Sequence, residues 1–253
     1  MPPRGMALSP GKTLFLSSLG TNSQKIAPAI AEFDLATGQR QRQFPIPERY
    51  LPPTDEEAIA RGTEDGLGFA ALAIDAGVAS AVEPWRLFSA IAVPLQQDRP
   101  DAQDAESWVR LLHYLITDNK PRVLAEHAYS LLADVDPSEL VDLVVLPGNH
   151  FLSLERNALY QMETVTASDT FLVPSLKSGF NGIGLRSVAK RPLLDLNALD
   201  LSLPHLEGMT LGSRLPDGSL SLLLVGDMVS DMAGDRTSEN TSEVQLLLFR
   251  LKI

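Results

Sequence analysis

Two carboxylates, Glu207 and Asp227, flank a segment in which the apolar stretches 205–212 and 219–227 are separated by Pro216-Asp217-Gly218. Proline fixes φ, and Asp and Gly tolerate the left-handed region, so the spacing predicts strand, turn, strand. In an antiparallel hairpin the two acids lie near the same end. There they can cap strand ends and bond turn amides, or contribute oxygens to a site. Asp142 and Glu155 stand in a similar relation around Pro147-Gly148-Asn149. Arg156 follows Glu155 and is suited either to an internal ion pair or to bidentate contact with a phosphate. Two further hairpins carry no acid at the matching places, which hold Arg4 and Leu19 in one and Ala70 and Ala92 in the other. Asp98, Asp101, Asp104 and Glu106 lack the spacing of an EF-hand and read as a solvated loop.

Composition narrows the chemistry. The net charge is −11, and the richest basic stretch is Arg40-Gln41-Arg42, so nucleic acid and anionic membranes are poor partners. The same charge serves solubility and leaves cations as plausible partners. With no cysteine there is no disulfide, thiolate metal site or Cys nucleophile. Apolar runs such as Leu222-Leu223-Leu224-Val225 are too short for membrane insertion. No G-x-S-x-G elbow, P-loop or G-x-G-x-x-G occurs, which argues against a serine hydrolase or a nucleotide fold. Met1-Pro2-Pro3-Arg4 leads straight into a strand-like segment without a signal peptide.

The elements that would position these acids recur along the chain. Inner hairpins are expected at 5–18, 68–90, 140–155 and 205–227, and outer hairpins at 30–46 and 108–131. Leu159 to Val165 is a candidate outer strand of the third unit, Leu193 to Pro204 reads as a link, and Val244 to Leu251 is a last strand. Thr54-Asp55-Glu56-Glu57 has the spacing of a capping box ahead of a short helix. The repeat of roughly 65 residues predicts an all-β fold, a β-propeller of four-stranded antiparallel blades. A β-sandwich is the competing architecture. Four units are visible and the last is incomplete, so residues 1–253 are expected to form a single propeller domain that is part of a larger one, lacking N-terminal blades.

Several stretches then resemble the phytase-like family, the "esterase-like activity of phytase" proteins. They are Pro3-Arg4-Gly5-Met6-Ala7-Leu8-Ser9-Pro10-Gly11-Lys12, Leu140-Val141-Asp142-Leu143 with Phe151-Leu152-Ser153-Leu154-Glu155-Arg156, and Leu206-Glu207-Gly208-Met209 with Arg214-Leu215-Pro216-Asp217-Gly218. The resemblance implies a β-propeller among bacterial, secreted or periplasmic hydrolases of phosphoesters or small anionic esters. It implies calcium as cofactor, held by acids that also activate water. On this reading Glu155, Glu207, Asp227 and Asp142 are metal ligands, Glu207 and Asp227 are catalytic, and Arg156 holds the substrate anion. The resemblance also implies acids where Arg4, Leu19, Ala70 and Ala92 stand. Their loss favours the alternative, a catalytically degenerate propeller acting as a binding or scaffold module. Oligomeric state is not readable.

Overall fold

Turn chemistry and alternating apolar residues set the local structure of the chain. Between β13 (His205–Arg214) and β14 (Leu220–Val229), the Gly218 amide donates to the Leu215 carbonyl at 2.9 Å, with Gly218 at φ 84°. The Asp217 carboxylate accepts from the Ser219 amide at 3.0 Å. That turn needs a residue at positive φ, and glycine takes it without steric cost. The computed structural model describes residues 3–54, 60–75, 84–101, 106–117, 120–131, 139–148, 150–179, 184–201, 203–229 and 242–252. The short helix expected after Thr54 lies outside them.

Each antiparallel sheet is a blade of a four-blade β-propeller. Blade 1 is β1 (Pro3–Leu8), β2 (Thr13–Ser18), β3 (Ala29–Asp34) and β4 (Arg40–Gln43). Blade 2 is β5 (Phe69–Asp75), β6 (Trp85–Ile91), β7 (Ser107–Thr117) and β8 (Lys120–Leu131). Blade 3 is β9 (Leu140–Leu146), β10 (His150–Glu155), β11 (Ala158–Glu163) and β12 (Ala189–Asp195). Blade 4 consists of β13, β14 and β15 (Ser242–Leu251). The inner and outer hairpins fall as the sequence predicts, and the sandwich is set aside. One expectation is corrected. The segment read as a link from Leu193 begins inside β12, where Leu194 pairs with Leu159 and Asp195 with Ala158. Its exposed, charged face hid the edge strand that completes blade 3.

The first strands β1, β5, β9 and β13 pack in that order around the axis. Between blades 1 and 2, Phe15 meets Trp85 edge to face at 5.5 Å, and the Ser17 hydroxyl donates to the Phe69 carbonyl at 2.9 Å. Gly68 is needed at this junction, since a Cβ there would sit 2.0 Å from the Leu19 carbonyl oxygen. Between blades 2 and 3, Phe88 meets Phe151 at 4.7 Å. Leu152, Leu154, Met209, Leu222 and Leu224 form the core between blades 3 and 4. Each such buried side chain contributes about 1.5–3 kcal/mol relative to its exposed state. The two end blades keep one apolar face in solvent. Met6 (67% exposed) and Leu8 share blade 1's outward face with Leu14 and Leu16, and Leu246 and Leu248 (71%) share blade 4's with Val225 and Leu223.

Candidate functional site

Every first strand carries an irregularity at the same level, and it decides which residues are equivalent. In β13, Leu206 pairs with Gly226 and Gly208 with Val225, so Glu207 is the extra residue of a β-bulge. In β5 the extra residue is Ala70, between the pairs Phe69–Ile91 and Ala71–Ala90. In β9 it is Val141, between Leu140–Glu155 and Asp142–Leu154. In β1 the shift falls at Arg4-Gly5. Arg4, Ala70, Val141 and Glu207 are therefore the matching positions, followed on the second strands by Leu19, Ala92, Arg156 and Asp227. The sequence comparison paired Asp142 and Glu155 with Glu207 and Asp227. The bulge moves the true counterparts one residue away, to Val141 and Arg156. Blade 4 alone among the four has acids at both matching positions.

The Glu207 side chain is 36% exposed, but both of its carboxylate oxygens already have partners. One carboxylate oxygen is ion-paired with the Arg4 guanidinium, reaching over from blade 1. The other meets His205 Nδ1 at 2.8 Å. His205 Nε2 lies 3.9 Å from Glu139, which is also 3.4 Å from Arg156 Nη1. Arg156 thus pairs with Glu139, not with the adjacent Glu155. Glu139, Arg156 and His205 line a cleft of about 210 Å³ between blades 3 and 4.

The other acids are held separately. Asp142 faces blade 4: its carboxylate accepts from the Met209 amide at 2.8 Å, just after the Glu207 bulge, and from the Leu143 amide at 2.8 Å. Burial pushes its pKa up to about 7, against the pull of those amides and of Arg4. Glu155 faces the other way, towards blade 2. It accepts from the Tyr129 hydroxyl and pairs with Lys190 Nζ at 2.5 Å. Lys190 Nζ also lies 4.6 Å above the Tyr129 ring and 4.3 Å above the Tyr160 ring, and donates to the Ser130 carbonyl at 2.7 Å. Burial lowers the Lys190 pKa, opposed by Glu155 and Glu106. Burial and then Glu155 raise that of Tyr129 well above its ordinary value. Asp227 is different, because its Oδ1 is buried with no hydrogen-bond partner among the described residues.

Calcium takes about six to eight oxygen ligands. Among the described residues no three of His, Asp and Glu converge as a metal-binding group. Glu155 and Asp142 serve opposite sides of blade 3, and Glu207 is neutralised by Arg4. The donor set named from the sequence does not fit a calcium centre.

Sequence reading missed a second charged group, entirely enclosed. Arg110, Asp98 and Glu126 are each 0% exposed. Arg110 Nε and Nη2 donate to Asp98 at 2.6 and 3.0 Å, and Nη1 donates to Glu126. Tyr50 donates its hydroxyl to Glu126 at 2.7 Å, and Arg49 lies 3.5 Å from the same carboxylate. Burial opposes the Arg110 charge. The hydrogen bonds to Asp98 and the fields of Glu126 and Asp98 outweigh it and hold the guanidinium above its ordinary pKa. Asp98, read as part of a solvated loop, is in fact buried in the turn Gln96–Asp98. The alternation of charged with apolar residues in Val109-Arg110-Leu111 and Ala125-Glu126-His127 was the available signal.

Comparison with known proteins places the chain in a family. The family model described as "Phytase-like: Esterase-like activity of phytase" matches residues 3–227, from β1 to the Asp227 end of the blade 4 hairpin. A search of curated proteins found no match. With the model spanning most of the chain and the blades where its motifs predict them, this chain belongs to the phytase-like family.

Proposed function

We propose that this phytase-like propeller works as a non-hydrolytic binding or scaffold module, and that calcium-assisted hydrolysis of phosphoesters is not its activity. The observation that carries the reading is the Arg4–Glu207 ion pair. A fixed guanidinium occupies the carboxylate that a cation would use, and it comes from the blade 1 position matching Glu207 itself. Lys190 does the same for Glu155. The test is turnover of p-nitrophenyl phosphate and of p-nitrophenyl acetate, with and without calcium, alongside calorimetric titration with calcium. No turnover and no calcium binding are expected. Calcium-dependent turnover that disappears in Glu207→Gln would overturn the reading.

Metal-assisted hydrolysis of phosphoesters or small esters is the second reading, and one observation favours it. Asp227 keeps a buried oxygen without a partner among the described residues, and the residue pairs with His205 across the strands. It requires Arg4 to leave Glu207, so it predicts that Arg4→Ala raises both calcium affinity and turnover.

A further inference from the structure

Away from Glu207 and Asp227, a cleft of about 590 Å³ lies beside blade 2, between β7 and the connection from β11 to β12. That connection, 164–188, is 25 residues long and lacks helix or strand among its described residues. Irregular connections of more than about 12–15 residues in a compact domain are commonly functional or disordered. This one is tied down along its course. The Thr170 amide donates to the Glu126 carbonyl at 2.7 Å, the Val188 amide to the Ala128 carbonyl at 2.9 Å, and the Leu176 amide to Asp98 at 2.8 Å. Arg110 and Arg49 donate to the Val173 carbonyl at 3.2 and 2.7 Å. Besides the bonds between its own members, the enclosed ion group thus directs hydrogen bonds from Arg110 and Arg49, and one accepted by Asp98, to this loop, although a buried ion pair is a poor source of net stability. Its effect is to hold one loop conformation.

What the loop builds is a wall facing Trp108. Trp108 packs over Leu176 and Ala128, and a Cβ on Gly179 would lie 3.4 Å from its indole nitrogen. Lys177, Arg186, Ser187 and Leu185 also line the cleft. Lys177 is 2.6 Å from Asp101, while Arg186 has no ion-pair partner among the described residues. Glu106, also lining the cleft, adds a single negative charge. The Arg186 backbone is pinned at both polar groups, its amide to the Ser168 hydroxyl at 3.0 Å and its carbonyl by the Ser168 amide at 2.8 Å. The volume falls within the range of about 300–1,000 Å³ typical of small-molecule sites.

We propose that this cleft is a binding site for a small organic anion, with its phosphate or carboxylate on Arg186 and Lys177 and its ring or apolar body against Trp108 and Leu185. A guanidinium matches either anion bidentately, and an aromatic wall gives the body of the ligand apolar contact. The inference does not depend on whether Glu207 and Asp227 take part in ester hydrolysis.

Trp108 is its own reporter, and Trp85→Phe leaves it as the only tryptophan of the chain. In that background, phenyl phosphate, benzoate and inorganic phosphate are titrated while Trp108 emission is followed, with calorimetry on the unmodified chain. Saturable binding of phenyl phosphate or benzoate is expected, tighter than that of inorganic phosphate and about tenfold weaker in Arg186→Ala. Arg186 is exposed and its backbone bonds are retained in alanine, so folding is preserved and circular dichroism checks it. No saturable response to either organic anion would overturn the proposal. So would binding unchanged in both Arg186→Ala and Lys177→Ala.

Discussion

Arg110 and Glu126 form an ion pair across β7 and β8 with neither side chain reaching solvent. Such a pair costs little while it is complete and a great deal when half of it is removed. Arg110→Met takes from the enclosed Asp98 its cation and leaves Glu126 with the Tyr50 hydroxyl and the more distant Arg49. We expect a loss of about 3–5 kcal/mol, read as a lower urea midpoint. Because Arg110 also holds the Val173 carbonyl, limited proteolysis within 164–188 is expected to quicken in the same variant.

The Glu155–Lys190 pair permits a cleaner partition. Lys190→Met alone strands Glu155, leaving it the Tyr129 hydroxyl and no cation among the described residues. The double variant Lys190→Met/Glu155→Leu removes both charges. We expect the double variant to be more stable than the single one in urea titrations, because it leaves no uncompensated carboxylate.

His113 makes stability depend on pH. Its ring stacks on Phe88 at 4.3 Å and its Nε2 is buried without a partner among the described residues. Burial, then Arg86 and His127, hold its pKa down to about 4 from the ordinary 6.5, with Asp75 opposing. Between those values the unfolded chain takes a proton that the folded chain refuses, so stability rises with pH through this window and is lost as pH falls. His113→Phe should flatten that slope, seen by comparing urea midpoints at about pH 5 and about pH 7.5.

Arg4 supplies the positive charge beside Glu207. Arg4→Glu replaces the Arg4–Glu207 pair with two facing carboxylates. We expect calcium to raise the melting temperature of this variant and to leave the unmodified chain unchanged. Equal responses in the two proteins would show that Arg4 does not control cation access to Glu207.

Much of this architecture was legible in the residues, because turns such as Pro216-Asp217-Gly218 and Pro147-Gly148 punctuate the strands. The hairpins and their order followed from that. Three things did not. A β-bulge shifts register by one residue without changing composition, so Asp142 and Glu155 looked like counterparts of Glu207 and Asp227. The partners of an acid are set by blade packing: Arg4 and Glu207 are 203 positions apart, a separation no local pattern reports. Asp98 looked solvated because its neighbours are acidic, and only the fold reveals that Arg110 meets it from the next strand of the blade.

The exposed faces of the end blades have a consequence for how the molecule comes apart. Blades 2 and 3 pack against a blade on either side, whereas blades 1 and 4 each pack on one blade and meet each other through the Arg4–Glu207 pair. Met6 and Leu8 on blade 1, and Leu246 and Leu248 on blade 4, form apolar surface that no described residue covers. Amide exchange should therefore be fastest in β1–β4 and β13–β15 and slowest in β6–β8, where blade 2 has neighbours on both faces and the Arg110 group inside. Opening would start at the two ends of the chain and finish at its middle, with the 590 Å³ cleft among the last features to be lost.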